Sequence, residues 1–148
     1  MHAQVSDPAF NLMLKTLLKH DVPEISVKEA VTRYNAVFLD ARQKVEYDVS
    51  HIHGAHYVGY DDFDSARVKN LRKDFPVIVY CSVGYRSEKI TEKLQQLGFT
   101  DIHNLYGGIF EWVNEGYKVY DDSGKETDKV HAYDHAWGIW LKKGEKVY

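Results

Sequence analysis

The chain has 148 residues, 44% hydrophobic and 28% charged, which is enough to bury one core without disulfides or a structural metal. A formal net charge of −3 argues against a basic nucleic-acid binder, and no apolar run approaches the roughly 18 residues of a membrane span. The single cysteine, Cys81, excludes an internal disulfide and a cysteine-cluster zinc site.

The Met-His-Ala-Gln start carries no basic-then-apolar leader. A cytoplasmic setting is therefore the default expectation, with a periplasmic or secreted one following if a leader has been removed. Asp7 before Pro8 is a cap followed by a first-turn proline. Phe10, Met13, Leu14, Leu17 and Leu18 then recur at helical spacing, which predicts an amphipathic helix over 7–20. Packing on the domain is favoured for it over a partner or dimer surface, and the choice between monomer and homodimer stays open. Ser26 with Glu29 reads as a capping box opening a short helix over 27–34. Residues 36–40 form a short apolar run ending in a charge, a buried strand; 43–48 read as a turn or two of helix and 56–59 as a short strand. Asp61 and Asp62 are expected to cap a helix running through Val68.

Residues 76–80 are β-branched, continuous and uncharged, the pattern of a strand covered on both faces. A loop over 81–86 leads to a helix over 87–97, with Ile90, Leu94 and Leu97 inward and Gly98 as its C-terminal cap. A further strand follows over 102–105, and Gly107-Gly108 opens a helix carrying Ile109, Phe110, Trp112 and Val113 up to Gly116. Alternating short strands and helices predict an α/β domain with a central parallel sheet and helices on both faces. The whole chain reads as one domain, with a core of about 24–119 and an extension over 120–148. That extension opens with the turn signal Asp121-Asp122-Ser123-Gly124 and carries His131, Tyr133, His135, Trp137, Trp140 and Tyr148. It reads as an added hairpin or flap; packing is favoured over shaping a site mouth, because two tryptophans are costly to leave in water. The charged run over 142–146 reads as a solvated terminus.

Ligands of such sheets sit at the carboxyl ends of strands, where Asp40 and Cys81 each stand. The segment Tyr80-Cys81-Ser82-Val83-Gly84-Tyr85-Arg86-Ser87 leaves a buried strand, turns and feeds a helix. Its amides are placed to converge on one point as an anion nest, the next helix aims its positive end there, Arg86 adds a permanent cation at the far lip, and Gly84 lets the backbone bend. Each feature favours a thiolate, the nucleophilic form of cysteine. His51, His53 and His56 invite a metal reading, but no carboxylate or cysteine completes a ligand set at metal spacing. A turn with His51 bonded to neighbouring backbone is favoured, and His131 with His135 on a helix face is a weaker metal pair still.

The cysteine loop resembles the Cys-x-x-Gly-x-Arg active-site loop of the rhodanese (sulfurtransferase) family. Asp40-Ala41-Arg42 with Glu46-Tyr47, His51-Ile52-His53-Gly54-Ala55, and Asn104 through Trp112 resemble three further family segments in the right order. Ser50 and His53 replace the family's glycine and proline in the second of these. The resemblance spans about 24–119 and implies a rhodanese-like fold and persulfide chemistry. Cys81 would take the outer sulfur of thiosulfate or a similar donor and pass it to cyanide, a thiol or a protein acceptor, without metal or organic cofactor. It further implies that the amides of residues 82–87 (Ser82, Val83, Gly84, Tyr85, Arg86 and Ser87) hold the persulfide, that Arg86 attracts the donor and steadies the loop, and that Asp40, Arg42 and His51 support it. A plain surface ion pair is the alternative for Asp40 and Arg42. Related phosphatases use Cys-x5-Arg, one residue longer than the Cys-x4-Arg here, and need a general acid; Asp61, Asp62 or Asp64 could serve, but all three read more simply as a helix cap and first-turn charges. Ser82 stands where strong thiosulfate users often carry a cation, and Tyr85 is bulky. A non-catalytic interaction or sulfur-relay module is the remaining alternative.

Overall fold

The computed structural model describes residues 3–148; Met1 and His2, part of the start read for a leader, lie outside the described residues. Five strands, β1 (Glu24–Ile25), β2 (Val37–Asp40), β3 (His56–Tyr57), β4 (Val77–Tyr80) and β5 (Ile102–Leu105), form one parallel sheet in the order β1-β5-β4-β2-β3. Around it stand α1 (Pro8–Leu17), α2 (Val27–Ala30), α3 (Lys44–Val49), α4 (Tyr85–Gln96) and α5 (Gly108–Asn114).

The fully buried β4 shows why both faces are covered, since successive side chains point to opposite sides. Val77 and Val79 join Leu39, Ile90, Leu94 and Ile102 in the core beneath α4. Ile78 and Tyr80 join Phe10, Leu14, Leu105, Ile109 and Phe110 in the core beneath α1 and α5. Register pairs Asp40 with Tyr80, and the Ala41 amide donates to the Tyr80 carbonyl at 2.8 Å. The chains leaving β2 and β4 therefore emerge side by side at the carboxyl edge, where ligands of such sheets bind.

Several element ends differ from the sequence expectation, each for a local reason. α1 stops at Leu17 rather than near residue 20, because the Lys19 and His20 amides donate to the buried Glu88 carboxylate of α4 at 3.1 and 3.0 Å. α2 stops at Ala30 and continues to residue 34 only as turns; Ser26 Oγ accepts from the Glu29 amide at 3.2 Å. The turn of 3-10 helix at Ser65–Val68 is capped by Asp64, not by Asp61 or Asp62, and Asp62 instead accepts from Tyr57 and Arg67. α4 begins at Tyr85, two residues early, so Tyr85 and Arg86 belong to its first turn. Leu97 is exposed rather than inward; Phe99, whose amide bonds the Leu94 carbonyl, fills the core there.

The extension folds as an antiparallel hairpin of β6 (Val119–Tyr120) and β7 (Glu126–Thr127), followed by a parallel pair of β8 (Lys129–His131) and β9 (Glu145–Val147). The expected solvated terminus is thus partly strand, and the Lys142 and Lys143 amides donate to Asn114 Oδ1. Trp140 stacks on Phe10 with ring centroids 5.4 Å apart. His131 lies on β8 and His135 stacks on Tyr148, so the two share no helix face. No helix among the described residues is long and apolar enough to cross a membrane.

Candidate active site

Cys81 follows β4 directly and lies at the floor of a cavity of about 440 Å³, only 1% exposed. Its sulfur accepts from the Gly84 amide at 3.1 Å and lies 3.4 Å from Ser87 Oγ, on the first turn of α4. A sulfur at a helix N-terminus with donors aimed at it suits an anion.

The Gly84 amide faces the sulfur, and neighbouring loop carbonyls are held from outside. The Ile109 and Phe110 amides, at the start of α5, donate to the Cys81 and Ser82 carbonyls at 2.9 and 3.1 Å. Those distances need Gly108: at its φ of +60°, a Cβ would stand 2.4 and 2.5 Å from the same two carbonyl oxygens. Asn104, at the end of β5, donates through Nδ2 to the Gly84 carbonyl at 3.0 Å. Its Oδ1 lies 2.5 Å from Ser87 Oγ. The Ser87 hydroxyl has one proton, shared in reach between Asn104 and the sulfur, so it can accept from a thiol and turn to donate to an anionic sulfur.

Arg86 is not an unpaired cation at the lip. Its Nη1 and Nη2 donate to Glu46 at 2.8 and 2.9 Å, Nη2 also reaches Ser82 Oγ at 3.0 Å, and its guanidinium lies 5.0 Å from the centre of the Tyr133 ring. Burial disfavours the charge on both partners, but their mutual bonds outweigh it: Arg86 is raised and Glu46 lowered relative to their ordinary pKa values. The pair clamps the loop to α3, and the Gln43 amide adds a further bond to Glu46 at 2.9 Å.

Asp40 and Arg42 are both fully buried, which rules out the surface reading. Arg42 donates to both Asp40 oxygens and, at 2.7 Å, to the Ser50 carbonyl, tying β2 to the turn after α3. His51 stacks on Tyr47 and its Nδ1 lies 2.9 Å from the Tyr47 carbonyl, the backbone bond expected of it. His53 packs instead against Tyr120, and His56 is exposed on β3. Asp40, Arg42 and His51 thus brace the surroundings and do not touch the sulfur.

Of the expected loop residues, Ser82, Val83, Tyr85 and Arg86 line the cavity with Cys81, while Gly84 and Ser87 bond the sulfur. The sequence reading missed four partners. Glu46 and Asn104 lie within the segments that resemble the family, where a lone acid three residues into a helix and an amide near the end of a strand were the available signals. Tyr133 and Trp137 line the cavity from the extension, which therefore both packs on the domain and walls the site.

A doubly covered parallel sheet with a cysteine beyond its central strand places the chain in the class of α/β proteins that carry a cysteine on a strand-to-helix loop. Within that class, the model of the rhodanese-like domain matches residues 25–115, and the chain belongs to that family. A tRNA uridine(34) hydroxylase of an Enterobacter species is 31% identical over 118 residues, covering 74% of this chain and 32% of its own length. One from Salmonella typhi is 29% identical, over 71% of this chain and 35% of its length. The chain thus spans about a third of the curated relatives it matches. Among solved structures, a rhodanese-related protein of Thermoplasma volcanium is 29% identical with a TM-score of 0.58, covering 66% of this chain and 96% of that one. A thiosulfate sulfurtransferase of Pseudomonas aeruginosa shares the fold at a TM-score of 0.63 and 23% identity, over 82% of this chain and 24% of that one.

Proposed function

We propose that the protein is a sulfurtransferase working through a persulfide on Cys81. The observation that carries this is the buried sulfur at a cavity floor, with the Gly84 amide and Ser87 hydroxyl against it. The Cys81 thiolate attacks the outer sulfur of thiosulfate or a similar donor. One S–S bond forms as another breaks, and sulfite leaves with the bonding pair. An acceptor such as cyanide or a thiolate then attacks that outer sulfur and restores the thiolate, so the cycle is two covalent displacements. The Gly84 amide and the α4 N-terminus face the negative charge throughout.

Phosphate-ester hydrolysis is the second reading, because Asp61 lines the same cavity and offers a general acid. The short loop and the engagement of Arg86 by Glu46 favour sulfur, since a phosphoryl dianion calls for a free guanidinium fork. The hydroxylation named for the curated relatives belongs to proteins of which the match covers about a third, and is not proposed for this chain.

The test is intact-protein mass after incubation with thiosulfate. A gain of one sulfur atom, reversed by cyanide and absent in Cys81→Ser, is expected. No gain from thiosulfate or from organic thiosulfonates, together with hydrolysis of a phosphate-ester panel, would replace this reading with the phosphatase one.

A further inference from the structure

The cavity above Cys81 offers a small dianion no uncompensated side-chain cation. Arg86 is the one cation among the described lining residues, and Glu46 already answers its charge. Asp61, exposed at the wall, adds a negative charge of its own. The remaining wall is dominated by Leu17, Tyr60, Val83, Tyr85, Tyr133 and Trp137. A volume of about 440 Å³ is that of a pocket for an organic molecule. An apolar strip continues outward from the Leu17–Trp137 edge along α1, past Met13 and Leu12, and Leu12 is 66% exposed.

Two of these rings come from the extension, and they are held in place at a cost. Tyr133 has φ of +71°, a left-handed conformation that a bulky L residue rarely adopts. Its amide donates to His131 Nδ1 at 3.1 Å, which requires that ring nitrogen to be unprotonated. Burial and the nearby Arg42 and Arg86 charges outweigh Glu46 and hold the His131 pKa below its ordinary value, consistent with that role. The turn is closed by Asp134, whose Oδ1 accepts the Trp137 amide and whose carbonyl accepts the Gly138 amide, at 2.9 and 2.8 Å. The result sets the Tyr133 ring over Arg86 and Trp137 on the opening. Backbone strain of this kind persists where the surroundings over-determine a position, and it gathers at functional sites.

We propose that the extension gives this site its substrate selectivity: Tyr133 and Trp137 form an aromatic wall that favours sulfur donors with an apolar or aromatic body, of low charge, over small inorganic anions. This rests on the persulfide reading above and names the substrate class for the same cysteine. The half-reaction is balanced for such a donor. The Cys81 thiolate attacks the outer sulfur of an organic thiosulfonate, forming the persulfide and releasing the organic sulfinate with the electrons of the broken S–S bond.

The experiment compares benzenethiosulfonate, methanethiosulfonate and thiosulfate as donors, with cyanide as acceptor. Each kcat/KM is divided by that donor's rate with a simple thiolate in solution, which removes intrinsic leaving-group differences. The wild type is expected to prefer the benzene over the methane compound by about tenfold or more, the effect of burying one ring. Trp137→Ala and the milder Tyr133→Leu, checked for folding by thermal melts, are expected to lower that ratio about fivefold. A wild-type ratio near one overturns the selectivity, and this measurement needs no variant. Variants that slow both thiosulfonates equally would make the wall merely structural and also overturn it. Persulfide formation, read by mass, separates these outcomes from failure of the underlying reading: if no donor adds sulfur to Cys81, both fall together.

Discussion

Replacing Glu46 by Gln removes the countercharge of Arg86 while preserving shape. Glu46 is fully buried and accepts two guanidinium N–H groups at 2.8 and 2.9 Å and the Gln43 amide at 2.9 Å. The glutamine keeps one acceptor and turns a donor toward another donor. Breaking a buried pair by removing one partner costs about 3–5 kcal/mol, since the surviving charge stays desolvated. The Arg86 side chain keeps 13% exposure, so the low end, about 3 kcal/mol, is expected. For a chain of this size that is a fall in Tm of about 6–12 °C at pH 7. The pH dependence carries a sign. Glu46 titrates below its ordinary 4.5 in the folded protein, so its contribution is complete above that value and is lost as pH falls through the folded pKa. Thermal melts of the two proteins should therefore converge in acid. A Tm within about 2 °C of wild type at pH 7, or a gap that does not narrow below pH 4.5, would refute the clamp. The same variant uncovers the Arg86 charge, so thiosulfate should gain on methanethiosulfonate as a donor.

Three further outcomes are expected. Ser87→Ala removes a hydroxyl 3.4 Å from the sulfur, and single-turnover persulfide formation should slow about fivefold, the equivalent of roughly 1 kcal/mol; an unchanged rate would deny the hydroxyl its part. Gly108→Ala and Gly116→Ala both place a side chain at positive φ, but only the first meets backbone, at 2.4–2.6 Å. Urea midpoints should show about 1–2 kcal/mol lost at 116 and about 4 or more at 108, and equal losses would remove the close approach of α5 from the account. Glu115, raised to about 7 by burial and by its neighbour Glu111, contributes stability that is complete below 4.5 and lost as pH rises through 7. Glu115→Gln should thus match wild type near pH 4 and exceed it at pH 8 by about 1 kcal/mol, a value discounted for solvent screening. Equal stability at pH 8 would contradict it.

The sheet was legible because parallel strands buried on both faces leave uninterrupted apolar runs, as in Val77–Tyr80. The end of α1 was not, because what stops it is Glu88, 69 and 68 residues from the two amides it accepts and invisible to local pattern. The cysteine loop was legible from Cys81, Gly84 and Arg86 together. The charge state of that loop was not: Arg86 reads as a free cation until the fold brings Glu46 to it from α3. The extension was the hardest part. Its aromatic content announced burial, and Trp140 is partly buried, stacked on Phe10. That Tyr133 and Trp137 instead face the cavity depends on one left-handed residue and the Asp134 turn, features with no periodicity to read.

The scattered segments of the resemblance act as one device once the loop is considered as a problem in hydrogen-bond direction. An anionic sulfur needs backbone N–H groups pointing inward, and a peptide that turns its N–H inward turns its carbonyl outward into the core, where it must still be satisfied. Here the partners are the Ile109 and Phe110 amides for Cys81 and Ser82, and Asn104 for Gly84. The first pair exists only because Gly108 lets the end of α5 come within contact of the loop. The Asn104-to-Trp112 segment is therefore the outer half of the same cradle whose inner half is Cys81 to Ser87. Glu46 closes it from the third side, and in doing so removes the net positive charge that would have made the cradle a general anion trap. Under the proposed selectivity, discrimination falls to the shape and polarity of the opening, where the extension supplies its two rings.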